Sequence, residues 1–236
     1  MPSIHIGLPQ LVGKLESYAD TYRFVEVTPV DQPVPRGRKL RGWRRRVPPS
    51  FRFAVRLPAA VASFGEDAAA GLEVALETAR DLEAAAIALC TPASFRPTRK
   101  NRERLSALRE RLPPDGVVLA WEARGIWEPE EFVDTAYRSG FLPIFDAAQE
   151  SLPPGPVAYT RLRAMGRNAA LGPDRLRAVA EQLVDRREAY LVADRALAGR
   201  VRAALGSTID DARPAPRAVP LVFKPRAALE ADDEEQ

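Results

Sequence analysis

Eight short apolar segments alternate with longer segments of helical character over the first 205 residues, and no other feature constrains the fold as strongly. The apolar segments span residues 4–7, 24–28, 51–57, 86–90, 117–122, 141–145, 157–162 and 189–193. The helical segments span residues 9–19, 38–46, 65–84, 99–111, 129–139, 173–187 and 194–205. Strands that alternate with helices form parallel sheets, and eight such units predict a single α/β domain of the (β/α)8 or TIM-barrel type.

The alternation is irregular at one place, between the sixth and seventh apolar segments. Residues 146–155 connect them with a short, proline-rich stretch instead of a helix, so we expect an irregular barrel around the sixth and seventh strands. A doubly wound open sheet is the alternative architecture. Because Gly7-Leu8-Pro9-Gln10 lacks the spacing of a glycine-rich phosphate loop, the sequence disfavours a dinucleotide-binding version of that sheet.

Length and charge divide the chain into three parts. A chain of 236 residues that is 46% hydrophobic can bury one large core, and we assign residues 1–205 to the barrel. Residues 206–225 are proline-rich and are expected to form an extension that packs on the barrel. Residues 226–236 contain one arginine and five acidic residues, so they contribute −4 to the net charge of +3 and leave +7 on the rest. Such an acidic end is typical of a disordered tail.

Several classes of protein are disfavoured by what the sequence lacks. No apolar run approaches the roughly 18 residues of a membrane span, and no signal peptide is recognisable, so we expect a cytoplasmic protein without a membrane partner. A single histidine, His5, and a single cysteine, Cys90, argue against a histidine-rich metal site and an internal disulfide. We therefore expect no metal and no cofactor, and we interpret the two residues as a rim or core histidine and a packed thiol.

Charged side chains collect where the predicted strands end. In parallel α/β folds the carboxyl ends of the strands bind ligands and carry the catalytic groups. Residues 117–127 show this most clearly, because an apolar strand ends in Glu122 and Arg124, which alternation places on one face. The residues of this type are Glu26, Arg56, Glu122, Arg124, Asp146, Arg161 and Asp194. We expect them to meet as a ring at one mouth of the barrel.

This ring has two interpretations. As a pocket, it binds an anionic small molecule that carries phosphate or resembles a sugar. The predicted ligand-binding residues are Arg56, Arg124, Arg161 and Asp194. The predicted catalytic residues are Glu122, Glu26 and Asp146. As a structural element, the same charges form a lattice of salt bridges that fills the barrel.

If the chain is an enzyme, its carboxylates must carry the reaction. We expect a metal-independent hydrolase or isomerase with Glu122 as the preferred acid or base, because pairing with Arg124 keeps Glu122 ionised, which suits a base. Glu26 lies inside an otherwise apolar strand, where a carboxylate is costly unless a partner neutralises it.

A run of basic residues between positions 36 and 46 is the strongest electrostatic feature. It contains seven arginines and lysines and no acidic residue. Helical spacing places Leu40, Trp43 and Val47 on one buried face. It directs five side chains outward: Arg38, Lys39, Arg41, Arg44 and Arg45. The alternative function is therefore a non-enzymatic protein that binds nucleic acid or an acidic protein through this surface, and the plain interpretation is a solvated helix.

The order of several short motifs resembles the YecE-like family, the domain of unknown function 72 (DUF72). The motifs lie at residues 25–28, 51–58, 91–95, 121–127, 159–163 and 190–194, so the resemblance spans nearly all of residues 3–205. It implies a TIM barrel, in agreement with the strand count. The family's charged residues are retained at Glu26, Glu122, Arg124 and Arg161.

The chain also departs from the family pattern, mainly at polar positions. Lysine is replaced by Arg56, glutamine by Cys90, histidine by Arg163 and asparagine by Asp194. The resemblance therefore implies a divergent member in which catalysis is degenerate or lost. The family itself implies no particular reaction.

Overall fold

The computed structural model describes residues 3–163, 171–184 and 186–205. The strands are β1 (Ser3–Leu8), β2 (Phe24–Val27), β3 (Arg52–Arg56), β4 (Ala86–Thr91), β5 (Val118–Ala123), β6 (Leu142–Pro143), β7 (Val157–Arg161) and β8 (Glu188–Val192). The helices are α1 (Leu15–Ala19), α2 (Arg38–Arg45), α3 (Ala59–Ala62), α4 (Ala68–Leu82), α5 (Arg99–Arg111), α6 (Pro129–Arg138), α7 (Pro173–Val184) and α8 (Arg195–Leu205). Each predicted apolar segment overlaps one of these strands, so the expected eight are confirmed.

The strands form one parallel sheet that closes on itself. Their order is β6-β5-β4-β3-β2-β1-β8-β7. Phe145, just after β6, forms a parallel bridge with Thr160 of β7, and the backbone N–H of Arg161 donates to the carbonyl oxygen of Phe145 at 3.1 Å. Because these contacts join the two ends of the sheet, the architecture is the predicted TIM-type barrel and not an open sheet.

The seam between β6 and β7 is the irregular part of the barrel, as the sequence predicted. β6 has only two residues, Leu142 and Pro143, and a proline has no N–H to donate to a neighbouring strand. No helix occurs between β6 and β7 in this fully described stretch. The barrel therefore closes here through few backbone hydrogen bonds.

The inside of the barrel combines small residues on one side with large rings on the other. Its buried cluster consists of Phe24, Ala54, Ala86, Ala88, Ala120, Leu142, Ile144, Val157, Tyr159, Tyr190 and Val192. The alanines of β3, β4 and β5 leave the space that the aromatic rings of β2, β7 and β8 fill. Since side chains alternate along a strand, residues two positions after these also point inward, nearer the carboxyl ends.

Gly7 permits the close approach of β1 and β2. It pairs with Phe24 in the parallel ladder, and a Cβ atom at position 7 would lie 2.0 Å from the carbonyl oxygen of Phe24. A side chain at this inward-facing position would therefore push the two strands apart.

The helix bounds differ from the expected ones at several places. α1 begins at Leu15, six residues later than the expected segment, and α3 was not predicted at all. α3 has four residues, too short for a detectable helical period.

No helix in the described ranges combines the length and the apolar character that a membrane span needs. The expected extension at 206–225 and the acidic tail at 226–236 lie outside the described residues.

Candidate active or binding site

A buried arginine links two carboxylates at the carboxyl end of the barrel. Arg161 of β7 donates through Nη2 to Glu26 Oε1 at 3.0 Å and Oε2 at 2.7 Å. Its Nε donates to Glu122 Oε2 at 2.9 Å. Each of the three stands two positions after an inward-facing residue of its strand, which is why they meet inside the barrel. The predicted juxtaposition of Glu122 and Arg161 is confirmed.

Glu26 is fully enclosed, with 0% of its side chain exposed. Besides Arg161, it accepts a hydrogen bond of 2.6 Å from the hydroxyl of Tyr159. Burial raises the pKa of Tyr159 well above its ordinary value, and the negative charge of Glu26 raises it further, so the phenol remains a donor. These contacts supply the partners that a carboxylate inside an apolar strand requires.

Arg161 stays charged in this environment. Burial alone would lower its pKa, but the charge of Glu26 and the neighbouring Cys90 and Tyr159 raise it above its ordinary value. A buried guanidinium with two carboxylates can contribute little net stability, yet removal of one partner leaves an uncompensated charge. The trio therefore acts as a fixed ionic support beneath the mouth.

Three further arginines form the rim of this mouth, and their side chains are 25%, 46% and 45% exposed for Arg56, Arg124 and Arg163. Arg56 Nε donates to Thr28 Oγ1 at 3.0 Å and lies 4.0 Å from Glu26 Oε1. Arg124 Nε lies 3.8 Å from Glu122 Oε1, and Arg163 Nη2 pairs with the same oxygen. Each rim arginine is thus anchored through one nitrogen.

The remaining side-chain nitrogens of the rim arginines form no hydrogen bond with any described residue. Four guanidinium groups, those of the rim and Arg161, face two carboxylates in this network, an excess of two positive charges. Oriented but unused donors with excess positive charge are what a bound anion requires.

Arg163 was not among the residues expected at the site. A signal for it was present, because it stands two positions after Arg161 and alternation points both inward. In the sequence it stands out only as a departure from the family pattern, where histidine is usual.

Cys90 belongs to the same network. Its Sγ donates to Glu122 Oε2 at 3.1 Å and lies 3.7 Å from Arg161 Nη2. Burial raises the pKa of the thiol, although the charge of Arg161 opposes that effect. The residue is half-buried, so Cys90 packs at the floor of the mouth.

Asp146 and Asp194 follow β6 and β8 at the same end of the barrel, but their carboxylates bind backbone groups. Asp146 accepts hydrogen bonds from the N–H groups of Ala148 and Arg163, both at 3.0 Å. Asp194 accepts from the N–H of Leu197 at 2.8 Å and caps the first turn of α8. They form no ion pair with the arginines of the mouth in the described structure. The catalytic role of Asp146 and the ligand role of Asp194 stay predictions.

A second polar cluster occupies the opposite, amino-terminal mouth. Glu188 Oε1 accepts a hydrogen bond of 2.7 Å from Tyr190 and lies 3.3 Å from His5 Nε2 and 3.7 Å from Arg52 Nε. Burial would raise the pKa of Glu188, but the contacts with His5 and Tyr190 and the charge of Arg52 lower it. His5 is thus a buried rim residue with an acidic neighbour.

Within the described ranges, no three His, Cys, Asp or Glu side chains form a group that could hold a metal ion.

The basic helix α2 is only partly the outward surface that the sequence suggested. Leu40 and Val47 are buried as expected, and Arg38, Lys39 and Arg45 are exposed. Arg41 is exposed but pairs with Asp81 of α4 at 3.0 Å.

Arg44 contradicts the outward prediction. It is half-buried, donates to the carbonyl oxygen of Phe51 at 2.8 Å and lies 5.5 Å above the ring of Phe53. Burial lowers its pKa. The chain turns back after α2 into β3, which brings carbonyl acceptors to this arginine.

A comparison with family models matches residues 6–205 to the family described as protein of unknown function DUF72. No curated protein matches the chain.

Solved structures show the same fold at low sequence identity. A DUF72 family protein of Enterococcus faecalis V583 is 17% identical, with 87% of this chain and 96% of that chain covered and a TM-score of 0.67. A DUF72 family protein of Thermotoga maritima MSB8 is 21% identical, with 86% and 96% covered and a TM-score of 0.63. A xylose isomerase domain containing protein of Salmonella typhimurium LT2 is 13% identical, with 87% and 94% covered and a TM-score of 0.54.

Proposed function

The chain belongs to the DUF72 family of TIM-barrel proteins of unknown function, and from that premise we propose that its carboxyl-terminal mouth binds a phosphate-bearing or sugar-like anionic small molecule. The observation that supports this most directly is the rim of three arginines, each of which pairs through one side-chain nitrogen and leaves its other two unused by described residues. Guanidinium groups match the oxygens of phosphate in pairs, so the rim suits a tetrahedral anion better than a single point charge.

The carboxylates beneath the rim favour binding over turnover. Both oxygens of Glu26 are bonded and none of its surface is exposed, so a proton reaches it only if Arg161 moves. Glu122 is the better acid or base, because its Oε1 faces Arg124 and Arg163 at the rim. Any catalysis in this proposal uses Glu122, while Glu26 keeps Arg161 in place.

The single cysteine provides a direct test. Cys90 contacts both Glu122 and Arg161, so an anion seated on the rim should shield it from alkylation by iodoacetamide. We expect inorganic phosphate to slow the alkylation of Cys90, measured by mass spectrometry at one fixed pH because the thiol pKa is raised. We also expect phosphate to raise the melting temperature through binding linkage.

Variants at the rim assign the effect to the proposed site. Arg124→Gln with Arg163→Gln should abolish protection, compared within each protein with and without phosphate because Arg124 also influences the pKa of Cys90. The matched control is Arg138→Gln, which removes an exposed arginine paired with Asp134 on α6. Absence of both protection and thermal shift at about ten millimolar phosphate in the unaltered protein would overturn the proposal.

A second function is favoured by part of α2. Arg38, Lys39 and Arg45 are exposed and have no ion-pair partner among the described residues, and the first turn of α2 contains no acidic residue. These charges support binding of nucleic acid or an acidic protein by a surface distinct from the mouth. Salt-sensitive binding of an oligonucleotide that survives the Arg124→Gln and Arg163→Gln changes would support this function. Absence of oligonucleotide binding at low salt would reject a nucleic-acid-binding role. A pull-down with an acidic peptide tests whether this surface binds an acidic protein.

A further inference from the structure

Val30, in the loop between β2 and α2, has a backbone conformation that its side chain disfavours. Its φ is 74°, in the left-handed region, where a β-branched residue is an outlier and glycine or asparagine is usual. Its side chain is 58% exposed. Burial of the side chain within the protein therefore gives little compensation for the strained backbone.

The loop around Val30 is fixed by hydrogen bonds on both sides. Gln32 Oε1 accepts from the N–H of Thr28 at 2.9 Å, and the N–H of Gln32 donates to the carbonyl oxygen of Thr28 at 3.0 Å. Gln32 Nε2 donates to the carbonyl oxygen of Pro9 at 3.0 Å, and Asp31 accepts from the N–H of Ala59 at 2.9 Å. These hydrogen bonds fix the conformation of the loop. The strained backbone of Val30 therefore persists, and its side chain stays exposed to solvent.

The same loop reaches the anion site. Thr28, which Gln32 holds, accepts the hydrogen bond from Arg56 of the rim. Ile126 is 78% exposed and stands two residues after Arg124, in the loop that follows β5. β2 and β5 are three places apart in a ring of eight strands, so the two apolar side chains flank the rim from nearly opposite sides.

Among the described residues, exposed large hydrophobic side chains occur at this end of the barrel. The large hydrophobic side chains that are exposed among the described residues are Val12, Val30 and Ile126. Each lies in a loop that follows the carboxyl end of a strand, namely β1, β2 and β5. Between them lies a network with two excess positive charges. An occupant that matches both features has a dianionic group and an apolar group.

We propose that the ligand of the mouth is a phosphomonoester with an apolar ester group, and that Val30, with Ile126 opposite, contacts that group and sets the preference for it. This inference rests on the proposed function, because the phosphate is placed on the rim arginines. The phosphate supplies the two negative charges, and burial of the ester group against Val30 and Ile126 supplies the discrimination among phosphomonoesters.

The test compares methyl phosphate with phenyl phosphate, which carry the same charge and differ in apolar area. Affinities are measured by protection of Cys90 from alkylation and by thermal shift. In the unaltered protein we expect phenyl phosphate to bind more tightly. Val30→Gly should reduce the phenyl-to-methyl affinity ratio about fivefold and leave methyl phosphate within about twofold, since only apolar contact is lost. Val30→Asn and Ile126→Ser should act in the same direction.

A matched control separates the contact from the backbone effect. Glu83 also has a left-handed backbone, with φ 50°, but it ends α4, away from the mouth. Val30→Gly and Glu83→Gly should each raise the melting temperature by about 2–4 °C through relief of strain, since about 1 kcal/mol corresponds to such a shift in a chain of this size. Only Val30→Gly should change the affinity ratio.

Three other results would overturn the inference, and they are distinguishable. If methyl phosphate protects Cys90 but Val30→Gly leaves the affinity ratio unchanged, Val30 is not a ligand contact and the anion site still stands. If neither ester protects, the proposed function fails as well. If Val30→Gly abolishes self-association in sedimentation velocity without a change in the ratio, the apolar side chains form a protein interface.

Discussion

The two mouths of the barrel are built from the same types of residue but differ in how much charge they neutralise internally. At the amino-terminal mouth, one carboxylate, Glu188, gathers His5, Arg52 and Tyr190 around a single oxygen. At the carboxyl-terminal mouth, two carboxylates face four arginines, three of which are partly exposed. The first cluster is largely buried and sets one arginine against one carboxylate, whereas the second has two arginines in excess and a partly exposed rim.

The balance of charge at each mouth distinguishes a stabilising cluster from a candidate binding site better than the burial of its residues does. Both mouths contain charged groups inside the barrel. The pKa of Glu188 is lowered at the amino-terminal mouth, and the pKa of Arg161 is raised at the carboxyl-terminal mouth. In the part of the chain that the structure describes, only the carboxyl-terminal mouth is flanked by loops with exposed large hydrophobic side chains. Loss of charge should therefore reduce stability at either mouth, but anion binding at only one.

The largest effect is expected from the central arginine of the carboxyl-terminal mouth. Arg161→Met leaves Glu26 and Glu122 buried without their shared cation, and we expect the free energy of unfolding to fall by about 3–5 kcal/mol. Urea denaturation at pH 7 measures this loss. The triple variant Glu26→Gln, Glu122→Gln, Arg161→Met should recover part of it because the uncompensated charges are gone. A loss below about 1 kcal/mol would mean that water already reaches the trio.

The next effect concerns Glu188 and depends on pH. Its contacts lower its pKa in the folded protein, so its ionised form is stabilised by folding and this stability is present above the unfolded pKa. The stability is lost as the pH falls below the ordinary value of 4.5 and through the folded pKa. Glu188→Gln should reduce the free energy of unfolding by about 1.5–3 kcal/mol at pH 7, as expected for hydrogen bonds to a charged group.

The difference between the Glu188→Gln variant and the unaltered protein should shrink as both are unfolded by urea at successively lower pH. Phosphate protection of Cys90 should be unchanged in this variant at pH 7. A pH-independent difference would show that packing, and not the charge of Glu188, stabilises the amino-terminal mouth.

A smaller effect separates two neighbouring arginines of α2. Arg44→Ala removes donors to backbone carbonyl groups and a cation above Phe53, so we expect a loss of about 1–2 kcal/mol. Arg45→Ala removes an exposed charge and should change stability by less than about 0.5 kcal/mol. Thermal or urea unfolding of the pair gives the comparison. Equal losses would contradict the structural role of Arg44.

The smallest effect on stability is expected from the acidic end of the chain. A protein that ends at Pro225 should unfold at the same urea concentration, within error, as the full chain. It should bind heparin about threefold more tightly at low salt, because a tethered acidic segment competes for the basic surface at high effective concentration. Replacement of Arg38, Lys39 and Arg45 by Ala should cancel this gain. Identical heparin affinity across a salt series would show that the acidic end does not compete.

The inner ring of the barrel could be predicted from the sequence because strand alternation is a local property. Glu122 and Arg124 are two positions apart at the end of one predicted strand, so alternation places them on the same face. Glu26 has apolar neighbours in its strand, so its carboxylate is predicted to need a partner. The identity of that partner could not be derived in this way. Arg161 is 135 residues from Glu26 along the chain, and the two meet only because β2 and β7 face one another across the closed barrel.

Strand and helix periodicity says least about side chains for which nearby backbone groups compete. Asp146 and Asp194 follow their strands as the other predicted ring members do, but their carboxylates accept hydrogen bonds from nearby backbone N–H groups. Arg44 has the periodicity of an outward residue, but the turn into β3 brings carbonyl oxygens within its reach. Loop geometry of this kind depends on backbone dihedral angles that residue type only weakly constrains.

The sequence by itself determined that eight parallel strands form this protein, which side chains point inward, and at which mouth the charges collect. These follow from periods of two and about 3.6 residues, which are properties of single strands and helices. The tertiary structure alone decided which inward charges neutralise one another, which arginines keep free donors, and that Val30 is held in a strained, exposed conformation. Those outcomes depend on closure of the sheet and on hydrogen bonds between loops, which bring together residues that no local pattern relates.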